Sequence, residues 1–96
     1  MNLQLEKQIE NEFVTYAAKH NAKVVKFIDQ ATTGAPDRIV LCPGGKIFFI
    51  EFKKPGGMIS PKQDLYHRVL HDLGFYVYTC YSFQQAKEVF DYYVSN

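Results

Sequence analysis

Two apolar runs around a Pro-Gly-Gly turn constrain this chain more than any other feature. Ile39-Val40-Leu41 and Ile47-Phe48-Phe49-Ile50 flank Pro43-Gly44-Gly45, with Asp37 and Arg38 before the first run and Glu51 and Lys53 after the second. Short β-forming runs separated by a Gly-rich turn predict a hairpin. Folding at the turn brings Asp37, Glu51 and Lys53 to one end. Three charges at the margin of a buried sheet are costly unless they share a task.

Loop length decides whether they can. Facing residues of an antiparallel hairpin keep a constant index sum, so a two-residue Gly44-Gly45 turn would set Asp37 opposite Phe52 and aim it away from Glu51. A three-residue loop, or a bulge, sets Asp37 opposite Glu51 or Lys53. Glu51 and Lys53, two apart, share a face because strand side chains alternate. The second run is apolar on both faces and so reads as a central strand.

The remaining elements follow from periodicity. Leu5, Ile9, Phe13, Tyr16 and Ala17 carry the spacing of an amphipathic helix over residues 3 to 20. With Ile9 at zero, Glu6 and Glu10 fall inside the apolar arc, at about 60° and about 100°. Either they reach water from its edge, or one or both find a cation, a metal ion or a hydrogen-bonding network. Lys23 to Ile28 reads as a first strand and Thr32 to Pro36 as a turn. Asp37 opens the second strand, and Lys46 to Lys53 form the third. Lys54 to Ile59 form a flexible connector. Ser60-Pro61-Lys62-Gln63 then has N-cap Ser, Pro at the first helical position and Gln closing a capping box. Tyr66, Val69, Leu70 and Leu73 form that helix's expected buried stripe, and Gly74 ends it. Phe75 to Tyr81 reads as a fourth strand. Ser82-Phe83-Gln84-Gln85 repeats the capping box before a last helix with Ala86, Val89, Phe90 and Tyr93 inward. The order α-β-β-β-α-β-α predicts an α/β fold: a mixed central sheet flanked by helices, with strands three and four parallel across a helical crossover.

Composition narrows the class. Ninety-six residues, 47% of them hydrophobic, suit one domain spanning residues 1–96 and argue against disorder. No apolar run approaches the roughly 20 residues of a membrane span, and the N-terminus lacks a signal-peptide pattern. A soluble, cytoplasmic protein without membrane association is expected. Cys42 and Cys80 lie in apparent strands without CxxC spacing and read as buried reduced thiols. A net charge of +1 decides nothing about polyanionic partners. His67 and His71 lack the third ligand and glutamate of a zinc-helix pattern and read as solvated helix histidines.

The charged cluster has a chemical reading. Asp37 and Glu51 on adjacent strands, with an inward glutamate from the first helix, offer hard oxygen ligands suited to Mg²⁺ or Mn²⁺, and the backbone carbonyl of Phe52 could add another. Lys53 beside them could position or help deprotonate water and offset phosphate charge. The set reads as a phosphodiester-hydrolysing site. The alternative is a cross-strand ion pair of no further consequence.

Gly34-Ala35-Pro36-Asp37-Arg38, then Glu51-Phe52-Lys53, Lys54-Pro55-Gly56-Gly57 and Ser60-Pro61-Lys62-Gln63 together resemble the virus-type replication-repair nuclease (VRR-NUC) domain of the PD-(D/E)XK superfamily. The resemblance extends to Leu5-Glu6-Lys7-Gln8-Ile9-Glu10 and to Leu73-Gly74-Phe75-Tyr76-Val77, and so covers nearly the whole chain. It implies a restriction-endonuclease-like fold with Asp37, Glu51 and Lys53 catalytic and a helix-one glutamate completing the metal site. Glu10 is preferred, its distance to the loop before strand one resembling that in archaeal Holliday junction resolvases; Glu6 is the alternative. Gln63 matches a glutamine of the family motif, although its capping-box position also accounts for it.

Short standalone relatives, of phage and bacteria, are implied to be homodimers that cut branched DNA such as four-way junctions in replication, repair and recombination. The expected setting is therefore a prokaryotic cell or a phage-infected host. Relatives with extra domains are implied to act on flaps, and a flap or single-strand nuclease working with a helicase, or a non-catalytic nucleic-acid-binding module, are the alternatives. DNA contacts are expected from Arg38, Lys54, Lys62 and Arg68, extended by Lys19, Lys23 and Lys26. Tyr92 and Tyr93 make the last helix a candidate dimer surface.

Overall fold

The structure, a computed structural model, describes residues 2–95, with side chains described from Leu5 onward. Its elements are α1 (Asn2–Lys19), β1 (Lys23–Lys26), β2 (Arg38–Leu41), β3 (Ile47–Phe52), α2 (Pro61–Asp72), β4 (Val77–Cys80) and α3 (Phe83–Ser95). The strands form one sheet in the order β1-β2-β3-β4. The first two pairings are antiparallel and β3–β4 is parallel, so α2 is the crossover and the sheet is mixed, as the element order implies.

The hairpin loop has three residues. Cys42 donates its N–H to the Lys46 carbonyl at 2.8 Å, enclosing Pro43-Gly44-Gly45. Gly44 and Gly45 take φ of 82° and 77°, a left-handed region that side chains with a Cβ enter at a cost. This fixes Arg38 opposite Ile50 and Leu41 opposite Ile47. Continued by one residue, the register sets Asp37 opposite Glu51, the odd-loop arrangement that shared chemistry requires.

One face of the sheet is dry. Ile9, Phe13 and Ala17 of α1 and Ala86 and Phe90 of α3 pack with Phe48, Ile50 and Phe52 of β3. Phe13 lies with its ring centroid 5.7 Å from Phe52 and 6.1 Å from Phe90. Cys42 and Cys80 are buried, unpaired thiols, as expected. No helix among the described residues is long and apolar enough to cross a membrane.

Three expectations need correction. The β1 ladder stops at Lys26, leaving Ile28 72% exposed, although Phe27 still donates to the Asp37 carbonyl at 3.1 Å. The β4 ladder begins only at Val77, because Gly74 and Phe75 are used to close α2 onto His71 and Leu70. The stripe on α2 is rotated: Val69 and Leu73 are 49% and 68% exposed, as is Leu65 at 63%, and only Leu70 is buried. The row turned inward is Gln63, Tyr66, His67 and Leu70, because polar groups on this side of the sheet take the inward positions.

Candidate active site

The site forms where β2 begins and β3 ends. Asp37 accepts the Phe52 N–H through Oδ2 at 2.8 Å, which ties the two strands together beyond the ladder. Burial above all, aided by the neighbouring charges of Glu51 and Glu10 and opposed by the Phe52 N–H, raises its carboxyl to about 6. Glu51 is 2% exposed, a charged residue buried on the sheet face under α2. Its Oε2 accepts from Gln63 Nε2 at 3.2 Å. Its Oε1 lies 3.5 Å from His67 Nε2, and neither atom has a hydrogen-bond partner among the described residues.

Gln63 serves both purposes that the sequence left open. Its Oε1 accepts from the Ser60 N–H at 2.8 Å while the Ser60 hydroxyl accepts from the Gln63 N–H at 3.1 Å, completing the capping box. Its amide nitrogen remains for Glu51. One side chain thus fixes the start of α2 and holds a carboxylate of the site.

The helix-one glutamates find the partners that their inward positions demand. Glu10 accepts from Arg38 Nε at 2.6 Å, in a pair whose side chains are both 14% exposed. Glu6 accepts from the Lys54 N–H at 3.3 Å, just past the end of β3. Lys53 is half-buried, follows Glu51 on the same face, and donates its backbone N–H to the Cys80 carbonyl at 3.0 Å. The Phe52 side chain is in the core, leaving its backbone at the strand end between Glu51 and Lys53. Arg38 is occupied by Glu10, Lys54 is half-buried, Lys62 is exposed in the first turn of α2, and Arg68 pairs with Asp64 at 2.9 Å.

Two features were missed at the level of sequence. The first is His67, read as solvated but turned under α2 toward Glu51; its signal was the four-residue step from Gln63, which puts both on one helix face. The second is the clamp that seats α2. Asp29 accepts from the Tyr66 hydroxyl at 2.6 Å and from the Ala31 and Thr32 N–H groups. Gly34, with φ of 96°, packs so closely that a Cβ there would stand 2.5 Å from the Lys62 carbonyl oxygen. His71, by contrast, is exposed.

The residues fit a small divalent cation. Asp37 and Glu51 are crowded carboxylates, one held above its ordinary value and the other with a shielded, unpartnered oxygen, and a cation relieves both conditions. No group of three His, Cys, Asp or Glu side chains stands ready as a metal cage among the described residues. Magnesium seldom needs one, since it binds one or two carboxylates and completes its shell with water and phosphate.

Comparison with known proteins places this geometry. The family profile described as "VRR-NUC domain" matches residues 1–84. This chain belongs to the VRR-NUC family. A solved "VRR_NUC domain" structure superposes with a TM-score of 0.84 at 26% identity, covering 92% of this chain and 96% of that one. A curated relative, "Putative nuclease p44" of Acyrthosiphon pisum secondary endosymbiont phage 1, is 39% identical over 74 residues, covering 77% of this chain and 80% of its own length. The restriction-endonuclease-like fold expected from the sequence agrees with this membership. A VRR-NUC chain is a nuclease acting on DNA, and nucleases of this kind generally use divalent metals.

Proposed function

We propose that this VRR-NUC chain is a Mg²⁺- or Mn²⁺-dependent endonuclease that hydrolyses phosphodiester bonds in branched DNA, four-way junctions above all, as a homodimer. The observation that carries the metal reading is the buried Glu51 carboxylate with an oxygen unpartnered among the described residues, beside the Asp37 carboxyl that burial raises to about 6. Asp37, Glu51 and the Phe52 carbonyl would hold the ion. When bound, a divalent ion supplies Lewis acidity to the phosphodiester and to the attacking water.

The protein's own residues set the geometry around it. Asp37 is oriented by the Phe52 N–H, and Glu51 by Gln63. Lys53, which has no ion-pair partner among the described residues, is available to orient water and offset charge gathering on the phosphate. Glu10, whose charge reaches Asp37, is the helix-one ligand; turning it from Arg38 would free that guanidinium for a DNA phosphate. Lys54, Lys62 and Arg68 extend the backbone contacts, which give salt-dependent affinity without sequence preference and suit recognition of DNA shape.

The homodimer reading is supported by the aliphatic row Leu65, Val69 and Leu73, exposed on the same helix that braces Glu51. This row suits an interface core better than the tyrosines of α3 do, since Tyr93 is already bound to the Ile47 carbonyl. Two sites at fixed separation could then nick opposed strands of a two-fold junction.

Labelled duplex, flap, splayed and four-way DNA, each incubated with Mg²⁺, Mn²⁺ or chelator, test the proposal. Metal-dependent cutting of the four-way substrate, lost in Asp37→Ala, is expected. Preferential flap cleavage would overturn the substrate assignment, and binding without cleavage under every metal condition would leave a binding module. Sedimentation of the free protein as a monomer at micromolar concentration would overturn the dimer.

A further inference from the structure

The cavity between the start of β4 and the end of α3 has no part in the site described above. It has a volume of about 410 Å³ and is lined by Lys46, Tyr76, Tyr78, Tyr92 and Tyr93. Four phenol rings and one ammonium, with no carboxylate in the lining, suit a planar ligand that carries negative charge. A nucleotide is such a ligand, and this nuclease acts on DNA.

The rings form a platform already in place. Tyr76 and Tyr78 are two apart in extended chain and so share a face, with ring centroids 6.4 Å apart and planes at 20°. Phe48 backs Tyr78 at 5.7 Å, and Tyr93, whose hydroxyl donates to the Ile47 carbonyl at 2.7 Å, stands edge-on to Tyr76 at 6.2 Å. Rings held in this way lose little freedom on binding. Open ring surface remains, since Tyr76 is 52% and Tyr92 66% exposed. Lys46 donates to the Tyr93 carbonyl at 3.3 Å, which uses one of its three N–H donors and leaves the others for a phosphate.

Position decides what kind of DNA can enter. Lys46 precedes β3 and Glu51 lies near its far end, about 17 Å away along the strand. Tyr78 pairs in register with Ile50 and so shares the sheet face under α3, whereas Glu51 is on the face under α2. DNA held at Glu51 therefore reaches the tyrosines only by turning around the β4 edge of the sheet. A duplex is too stiff for that turn, and its bases are already stacked and paired. A single strand bends and offers bare base faces.

We infer that Tyr76, Tyr92 and Lys46 form a second nucleic-acid subsite, which takes an unpaired nucleotide by stacking its base on the tyrosines and pairing its phosphate with the lysine. The inference deepens the branched-DNA reading made above and rests on it for the path of the strand. The favoured substrate is then a branched DNA with a single-stranded tract near the branch.

Binding is tested on the full chain, without metal, with an oligothymidylate of about eight nucleotides. The chain has seven tyrosines and no tryptophan, so stacking is expected to quench its intrinsic emission. Tyr76→Leu, with unchanged circular dichroism, should weaken binding about tenfold, and Tyr92→Leu should act in the same direction. Tyr76→Phe, which keeps the ring, should bind within about twofold of wild type. Lys46→Gln should lower the slope of log K against log salt by about 0.7, the share of one phosphate on a single strand. With Mg²⁺ added, wild type should prefer, in kcat/KM, a four-way junction carrying a single-stranded tract over a fully paired one, and Tyr76→Leu should lose that preference. Absence of oligonucleotide binding by wild type, or wild-type affinity in both leucine variants, would overturn the subsite. Altered sedimentation of free Tyr76→Leu with oligonucleotide binding intact would overturn it in favour of an interface between copies. Binding that responds to these substitutions, without metal-dependent cleavage of any branched DNA, would uphold the subsite and overturn the cleavage reading instead.

Discussion

The sheet face under α1 and α3 and the face under α2 draw their side chains from the same strand. Phe48, Ile50 and Phe52 point one way into a core of aromatic rings, without a charge among its buried members. Phe49, Glu51 and Lys53 point the other way, where a buried carboxylate meets an amide and an imidazole while the aliphatic row of the covering helix faces outward. The first face gains stability from apolar area removed from water. On the second, polar positions are kept inward at the expense of burying Val69 and Leu73. Stability and chemistry are thereby assigned to opposite sides of β3, and substitutions on either side should separate them.

The largest expected effect is on the α2 face. Glu51→Gln preserves shape and the contact with Gln63 but removes the charge that would hold the ion, so cleavage should fall by at least about 10³-fold. The metal-free variant should melt no lower than wild type, because the lost group is a buried charge with an unpartnered oxygen. Phe13→Ala is the counterpart on the dry face. It removes a fully buried ring packed on Phe52 and Phe90 and should cost about 3–5 kcal/mol in denaturant unfolding. Below its melting transition, the folded fraction should cleave at close to the wild-type rate. A stable Phe13→Ala, or an active Glu51→Gln, would break the division between the faces.

A smaller effect is expected where the site meets the fold. Gly34→Ala places a methyl 2.5 Å from the Lys62 carbonyl oxygen, at a φ of 96° that alanine disfavours. Backbone cannot yield as a side-chain tip can, so α2 must shift relative to the loop before β2. A stability loss of roughly 1–3 kcal/mol is expected, with a decrease in cleavage larger than unfolding accounts for, since Gln63 and His67 move with the helix. Equal losses in both measurements would show the glycine to be structural alone.

What was legible in the sequence was what local rules decide. The three-residue loop followed from the demand that Asp37 and Glu51 share a face, and Ser60 with Gln63 announced the start of α2. Even the α3 capping box is met in part: Ser82 accepts from the Gln85 N–H, although the Gln85 side chain takes the Tyr81 N–H instead of that of Ser82. The orientation of α2 was not legible. Tyr66, Val69, Leu70 and Leu73 span an arc wide enough for either edge to face the sheet, and the choice is made by Asp29, Gly34 and Glu51, distant in sequence. His67 was hidden for the same reason. Glu10 was legible as inward, but its Arg38 partner lies 28 residues away and periodicity does not reach that far.

The smallest effect concerns pH, and it sharpens the contrast between the faces because the carboxyl that burial raises lies on the α2 face. Asp37 binds its proton more tightly in the folded chain, at about 6 against an ordinary 3.8. The native state therefore holds more protons than the unfolded state between these values, so stability falls as pH rises. The favourable contribution is complete below about 3.8 and is lost through about 6. Allowing for solvent screening, the loss is on the order of 1–2 kcal/mol, or several degrees in a domain of this size. The metal-free protein should melt lower at pH 7.5 than at pH 5. Asp37→Asn, which still accepts from the Phe52 N–H but cannot ionise, should flatten that slope, and Mg²⁺ should restore wild type at pH 7.5 without affecting the variant. A slope that survives Asp37→Asn would place the titration elsewhere. A Mg²⁺ response that survives it would mean that the ion binds away from the crowded carboxylates on which the metal reading depends.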